Sequence, residues 1–343
     1  MNKKLVFHSR TKTPWDGEDD LSPLEVGIKK KYLRNFENKH ERPSKDEAES
    51  AFLNSLKISS CPYCSGAKFI KYGYTKNKVQ RYKCLSCNNT FTPITGTLLD
   101  SHKLSIFELV EFIISLIHFE SFNSASRNNK NSINTTKYRF GKICKVLRNF
   151  QNNIILSGKF YLDETYFKVR TKDVRKVNGK ELRGLSINQL CIAAAVDEND
   201  NKLFFLIGHG KPSSRKILEV FLEHITPKST LIHDSEKAHN LLISALQLNE
   251  KRYNSQKLRG IKDVSNPLNT INQEINFLKK FLRQHQGFKR DKTQDLLNVY
   301  CFISDQRIDE LTKVKILISK LLNCNETLRY ADFYAKNKEN WLE

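Results

Sequence analysis

The chain has 343 residues, a length that suits two or three domains rather than one. Its 58 lysines and arginines against 37 acids give a net charge of +21, and with 10% aromatics this points to a polyanionic partner, nucleic acid foremost. Hydrophobic residues make up 39% of the chain, yet no stretch approaches a spanning helix, and Met1-Asn2-Lys3-Lys4-Leu5-Val6-Phe7-His8 turns polar too soon for a signal peptide, so neither membrane insertion nor secretion is expected.

Residues 1–57 are charged and loop-rich, with one helix expected over 47–56. There Ser44 and Glu47 read as a capping box and Ala51, Phe52 and Leu56 as a short apolar stripe. A paired-cysteine module occupies 58–97. A strong helix follows: Ser105 and Glu108 form a second capping box, and Ile106, Leu109, Val110, Ile113, Ile114 and Ile117 keep the 3.6 period. After a polar break at 120–123, short helical segments run to Phe150. Within this helical region, 98–155, a helix-turn-helix reading exposes Thr135, Thr136, Lys137, Arg139 and Lys142 while Tyr138, Phe140, Ile143 and Leu147 pack; Gly141 weakens that helix.

The composition then changes to strands. Expected strands are 159–169, the apolar run 189–197, 203–207 after the turn at 198–201, and 229–233 ending at Asp234. A helix opens at Pro212-Ser213-Ser214, and helices are expected at 267–285, 291–303 and 311–322. The domain scheme is therefore 1–57, the module at 58–97, helices at 98–155, a catalytic core at 156–310 and a helical tail at 311–343.

Eight cysteines divide into two tight pairs and four single residues among apolar neighbours, Cys144, Cys191, Cys301 and Cys324. A secreted disulfide scaffold would be shorter and denser in cysteine, so a cytoplasmic chain, nucleoid-associated when acting, is expected. Cys61-Pro62-Tyr63-Cys64, nineteen residues, then Cys84-Leu85-Ser86-Cys87 is the spacing of a four-cysteine zinc ribbon: each knuckle presents two thiolates, and the intervening hairpin brings the knuckles together. Gly66 and Gly73 sit where turns need freedom, and Phe69, Tyr72, Tyr82 and Phe91 suit a cover for the metal. Cys-Pro-Tyr-Cys alone also fits a glutaredoxin-like redox site, but that reading leaves Cys84 and Cys87 unexplained. Lys68, Lys71, Lys76, Lys78, Arg81 and Lys83 stud the hairpin. They suit DNA backbone contacts, or equally a solvated face on a structural clip.

In the second half, a strand carrying Asp163 is followed by an apolar strand, its hairpin partner, a helix, and a short strand ending in Asp234. That is the chain order of an RNase H-like core, a mixed sheet flanked by helices, in which the first and fourth strands lie side by side and their acids meet. Carboxylates so placed hold two divalent ions about 3.5–4 Å apart that clamp an in-line phosphoryl transfer. Tyr161, Leu162, Tyr166 and Phe167 embed Asp163, whereas Glu164 faces the other side by the period of two. Asp197 and Asp200 read as turn formers.

The two knuckles, then Phe91-Thr92-Pro93-Ile94-Thr95-Gly96-Thr97, Tyr161-Leu162-Asp163-Glu164-Thr165-Tyr166, Leu231-Ile232-His233-Asp234, Asn266-Pro267-Leu268-Asn269-Thr270-Ile271-Asn272 and Leu278-Lys279-Lys280-Phe281-Leu282-Arg283 together resemble zinc-ribbon insertion-sequence transposases, over residues 55–335. The resemblance implies DDE-type chemistry with Mg²⁺ or Mn²⁺: nicking at the element's ends, then attack of the freed 3′-hydroxyl on target DNA, by a homo-oligomer assembled on that DNA. It implies a third ligand on the helix after Asp234, followed seven residues later by a lysine. Asn272 has Lys279 at that spacing, whereas Glu274 has Phe281. The family includes members with asparagine at this position, so the expected set is Asp163, Asp234 and Asn272, with Glu274 as the alternative and Lys279 and Arg283 on DNA. The plainer reading makes Asn272 a helix cap. Rival functions are a catalytically silent DNA-binding regulator and a nuclease that cuts without joining. His285, Gly287, Lys289 and Arg290 form a basic turn suited to phosphate, while His209 and His233 read as surface or core histidines, with the alternative that His233, which abuts Asp234, supports that carboxylate from behind.

Overall fold

A computed structural model describes residues 22–24, 26–28, 47–100, 105–168, 174–254, 256–258, 260–285 and 292–335. The capping residue expected at Ser44, the end of the strand at Val169 and the basic turn at Gly287, Lys289 and Arg290 lie outside these residues. Among the described residues the chain divides into two units. One takes in residues up to 118, 123–139 and 309–329; the other takes in 119–122, 140–308 and 330–335.

In the first unit, helix α1 (Glu47–Ser55) precedes a three-stranded antiparallel sheet of β1 (Phe69–Tyr74), β2 (Gln80–Cys84) and β3 (Thr90–Phe91). Helix α2 (Ile106–Ile117) starts at the capping box: Ser105 Oγ accepts from the amides of Phe107 and Glu108, and Glu108 accepts from the Ser105 amide. Helices α3 (Phe122–Asn128) and α4 (Ile133–Leu147) follow, with Phe122 and residues 140–147 assigned to the second unit.

The second unit is built on a five-stranded mixed sheet. Its strands are β4 (Lys159–Lys168), β7 (Gln189–Asp197), β8 (Lys202–His209), β9 (Thr230–His233) and β10 (Asn249–Arg252), in the order β10-β9-β4-β7-β8. The run β4-β7-β8 is antiparallel, while β4, β9 and β10 are parallel. The first and fourth strands in chain order are thus neighbours, as the sequence led us to expect. A small hairpin, β5 (Lys176–Val177) with β6 (Lys180–Glu181), is inserted before β7.

Alternation along the strands sends Phe160, Leu162, Cys191, Ala193, Ala195, Leu203 and Leu231 to one face. There they pack with Ile217 and Phe221 of α5 (Ser214–Phe221) and with Leu242 and Leu246 of α6 (Asn240–Leu246). The other face receives α7 (Asn269–Gln284), which lies against β4 and β7, and α8 (Thr293–Ser304), which covers β8. The outer edge of β8 is not left to pair with another chain. Gln151 donates to Phe204 O and accepts from Phe204 N, and Gln294 accepts from Leu206 N, so side-chain amides satisfy that edge. Helices α9 (Glu310–Asn323) and α10 (Tyr330–Tyr334) end the described chain.

The exposed face expected of α4 is corrected. Thr136 and Arg139 are 2% exposed and Lys142 is fully enclosed, so none of the three presents itself to a DNA groove. Arg139 is withdrawn because it donates to the carbonyl of Glu108 at 2.9 Å and meets its carboxylate at 3.5 Å. Lys137 stays half-exposed.

Candidate metal centres

The two cysteine knuckles fold alike. In each, the first cysteine's amide donates to a carbonyl five residues on (Cys61 to Gly66, Cys84 to Asn89), and the amide four residues on returns a bond to that cysteine's carbonyl. Each knuckle also turns through a left-handed residue, Ser65 (φ 59°) or Asn88 (φ 60°). This repeated turn aims both thiols of each pair to one side. Cys61 Sγ lies 3.7 Å from Cys87 Sγ, and Cys64 Sγ lies 3.6 Å from Cys84 Sγ. All four sulfurs fall within 4.8 Å of one another, a group able to hold a metal ion. A tetrahedron with ion–sulfur bonds of about 2.3 Å has edges of about 3.8 Å, so the spacing fits. The amide of Cys87, working against burial, and then that of Ser86 hold the Cys84 thiol down to about 6, while, against the amide of Gly66, the Cys87 and Cys84 thiols push neighbouring Cys64 up to about 12.

Gly73 has the positive φ expected of it (67°), whereas Gly66 sits in close quarters: a Cβ there would stand 3.0 Å from Ser86 Oγ and 3.3 Å from Cys64 Sγ. The cover is Phe69, Tyr82 and Phe91, whose ring centres lie 5.6–5.7 Å apart beside Cys61 and Cys84. Tyr72 is not part of it. Its ring is on the outer face of the hairpin, 49% exposed, with Arg81 at 5.6 Å and Lys83 at 5.7 Å from its centre. Lys68 and Lys71 are exposed on the same hairpin.

The second candidate site grows from strand register. Parallel pairing of β4 and β9 matches Lys159 with Thr230, Phe160 with Leu231 and Tyr161 with Ile232. Two residues further along stand Asp163, within β4, and Asp234, just past the end of β9. Both follow the alternation to the face on which α7 packs. The amide of Glu164 donates to Asp163 Oδ1 at 2.8 Å, and that of Glu236 to Asp234 Oδ1 at 3.2 Å; the second bond is possible because Ser235 turns left-handed (φ 78°). Burial, then the charges of Asp234 and Glu164, push the Asp163 carboxyl up to about 7. A cation bound beside Asp163 would relieve that repulsion. Thr165, next on the same face of β4, is 2% exposed, and its hydroxyl has no hydrogen-bond partner among the described residues.

The candidates for a third ligand have different surroundings. Glu274 accepts from Lys202 Nζ at 2.9 Å and lies 3.4 Å from the Tyr300 hydroxyl, which ties it to β8 and α8. Asn272 is half-buried and makes no cap: the N-cap position of α7 is Leu268, and the local side-chain bond is from Leu268 N to Asn266 Oδ1. Lys279 is half-buried and Arg283 exposed on the same helix. His285 is not a phosphate contact. It is 1% exposed, packs against Phe281, Phe122 and Phe140, and burial lowers its pKa to about 4, so its ring is neutral.

Behind the aspartates lies a set of polar groups, buried except at its outer end, of which the sequence singles out only His233. Glu164 Oε1 lies 2.9 Å from His239 Nε2, His239 Nδ1 lies 2.8 Å from His233 Nδ1, and His233 Nε2 lies 2.9 Å from Glu250 Oε1. Burial lowers the pKa of His233. The only trace in the sequence is the adjacency of Glu164 to Asp163 and of His233 to Asp234; nothing in the spacing announces His239 or Glu250.

No protein-family model and no curated protein sequence matches the chain. Among solved structures, the Mos1 strand transfer complex aligns at 10% identity over 62% of this chain and 74% of that one, with a TM-score of 0.27. The Mos1 transposase paired-end complex with the left transposon end aligns at 9% identity over 68% and 79%, with a TM-score of 0.26. The Mos1 mariner paired-end complex with Mn aligns at 11% identity over 65% and 75%, with a TM-score of 0.24. At TM-scores this low the likenesses carry no weight for function.

Proposed function

We propose that the chain is a DNA transposase of the zinc-ribbon insertion-sequence kind, with an RNase H-like core, and that Asp163, Asp234 and Asn272 hold its catalytic divalent ions. The observation that carries this reading is the β4–β9 register, which brings Asp163 and Asp234 to equivalent positions on one sheet face. Mg²⁺ or Mn²⁺ held there supplies Lewis-acid activation of the attacking oxygen and stabilises the leaving one. The chain's own residues do the rest. Asp163, which its raised pKa leaves partly protonated near neutral pH, gives up that proton to the cation on loading. Asn272 offers a neutral amide oxygen from α7. Lys279, seven residues on, is on the same helical face and neutralises a phosphate, as does Arg283 a further step along. Glu274 serves instead as the partner of Lys202.

In the first reaction water attacks a phosphodiester at the element's end, and the broken P–O bond leaves a 3′-hydroxyl. In the second that hydroxyl attacks a target phosphodiester and displaces a target 3′-hydroxyl, so the number of phosphodiester bonds is conserved.

The cysteine group suits Zn²⁺ in a closed structural site, since all four positions are filled by protein thiols. Lys68, Lys71 and Arg81 on the hairpin and Lys137 on α4 are the further DNA contacts of this reading, and the +21 charge favours that partner. The homo-oligomer expected on paired DNA ends is part of the same proposal, as is the division of labour among ribbon, helical segment and core.

The test is strand transfer by purified protein on DNA carrying the sequences that flank its own coding region. Mg²⁺-dependent cutting and joining supports the transposase. Cutting without joining makes it a nuclease, and binding alone makes it a regulator.

A further inference from the structure

Ladder pairing between β4 and β9 ends at Tyr161 and Ile232, just before the two aspartates. Beyond that point β4 continues to Lys168 paired only with β7, and β9 ends at His233 against β10. The stretch of β4 that carries Asp163 and the end of β9 that leads into Asp234 are therefore not tied to each other through a backbone ladder. On the reverse face a side-chain chain crosses the gap. It starts at Glu164 on β4, passes through His239 to His233 on β9, and ends at Glu250 on β10, with successive separations of 2.9, 2.8 and 2.9 Å. Arg252 bonds Glu250 and also Asn240 Oδ1, which anchors the outer end. Both histidines are 0% exposed and Glu164 is 4% exposed.

We propose that Glu164, His239 and His233 are positioning residues that set the spacing of Asp163 and Asp234 from behind the sheet. The proposal deepens, and rests on, the reading of those aspartates as cation ligands. Glu164 directly follows Asp163 and His233 directly precedes Asp234, so each is one peptide unit from the group it holds. Strand alternation turns both away from the aspartates' face, so they act through the backbone and do not touch the ion. Two planar rings in series, each with a partner within hydrogen-bond distance at both nitrogens, leave little freedom along the chain, and such a polar network is stiff. Apolar side chains would fill the same space without the desolvation penalty of a buried carboxylate and two buried imidazoles, so packing alone does not account for these residues.

The test is Mn²⁺ binding by the full-length protein without DNA, read by electron paramagnetic resonance, beside its thermal unfolding. Asp163→Ala and Asp234→Ala serve as controls and should remove the binding. Glu164→Leu and His239→Phe keep bulk but break the chain, and should weaken Mn²⁺ affinity by about tenfold or more, the usual cost of losing a group that orients a ligand. Glu164→Gln keeps an oxygen that accepts from His239 and should restore affinity to within about threefold of wild type. A purely structural role would lower the unfolding temperature of the apolar variants and leave the affinity of the folded protein unchanged. Where those variants do not fold, His233→Asn takes their place, with an expected loss of about fivefold or more. If the aspartate controls still bind Mn²⁺ as wild type does, the cation reading fails. If they lose it while a folded chain variant keeps wild-type affinity, the positioning role is overturned and the cation reading stands.

Discussion

Lys202 Nζ donates to Glu274 Oε1 at 2.9 Å, with the lysine side chain 3% exposed and the glutamate 13% exposed. Asp200 at 3.1 Å and the carbonyl of Ser304 at 3.4 Å complete the lysine's surroundings. A glutamate so engaged belongs to the joint between β8, α7 and α8. Moving it to a metal would leave a buried ammonium with a single carboxylate.

Two substitutions on α7 should therefore separate. Glu274→Ala leaves Lys202 short of a partner and should cost about 2–4 kcal/mol of stability, seen as a lower denaturant midpoint. Asn272→Ala should leave the midpoint within about 0.5 kcal/mol and abolish strand transfer. A stable but inactive Glu274→Ala beside an active Asn272→Ala would make the glutamate the third ligand.

Asp163 gives a pH signature. Its carboxyl titrates near 7 when folded, against about 4 for a solvated aspartate. Between those values the folded chain holds a proton that the unfolded chain has lost, so stability without Mg²⁺ should fall as pH rises from about 4 to about 7 and level off above. Asp163→Asn removes this slope and should raise the unfolding temperature at pH 8 by a few degrees, on the scale of about 2–4 °C per kcal/mol. Mg²⁺ should stabilise wild type at pH 8 and not the variant. Scanning calorimetry in Mg²⁺-free buffer that shows no slope for wild type would contradict the account.

The histories of these two sites in the sequence differ. The apolar run Gln189–Asp197 and the short strand before Asp234 were legible because burial of a central strand leaves a continuous hydrophobic signal. β10 was not: Asn249, Glu250, Lys251 and Arg252 are all polar and exposed, and only pairing with β9 makes them a strand. On α4 the stripe Thr136, Arg139, Phe140, Ile143, Leu147 follows helical spacing, but the charge of Arg139 hid its place in it, since burial there depends on Glu108 more than thirty positions earlier. The cysteine spacing was legible because a metal site needs ligand pairs in local turns. The Glu164–His239–His233–Glu250 chain was not, because no local period links its members.

The ribbon should hold one Zn²⁺ per chain. Elemental analysis should return about one equivalent for wild type and a loss for Cys61→Ser or Cys84→Ser. Chelation should also remove hydrogen-exchange protection from the β1–β2 pairing. Protection that survives complete metal removal would mean the sheet needs no ion.

On the hairpin's outer face, Tyr72 and its flanking cations should contribute in distinguishable ways. Arg81→Ala should weaken DNA binding and lower the slope of log affinity against log salt by about 0.9 if it neutralises one phosphate. Tyr72→Ala should weaken binding without changing that slope, since a ring contact releases no counterion. Unchanged affinity in both variants would remove the hairpin from the DNA interface.

The most direct test of the central claim is the fate of a supercoiled plasmid carrying the chain's own flanking sequences, incubated with Mg²⁺ and wild type, Asp163→Ala or Asp234→Ala protein. The account predicts nicking at the element's ends and joined products with wild type. Neither product should form with either variant, although both variants bind the same DNA with near wild-type affinity. Cutting by Asp163→Ala or Asp234→Ala at the wild-type rate would show that the paired aspartates do not carry the chemistry.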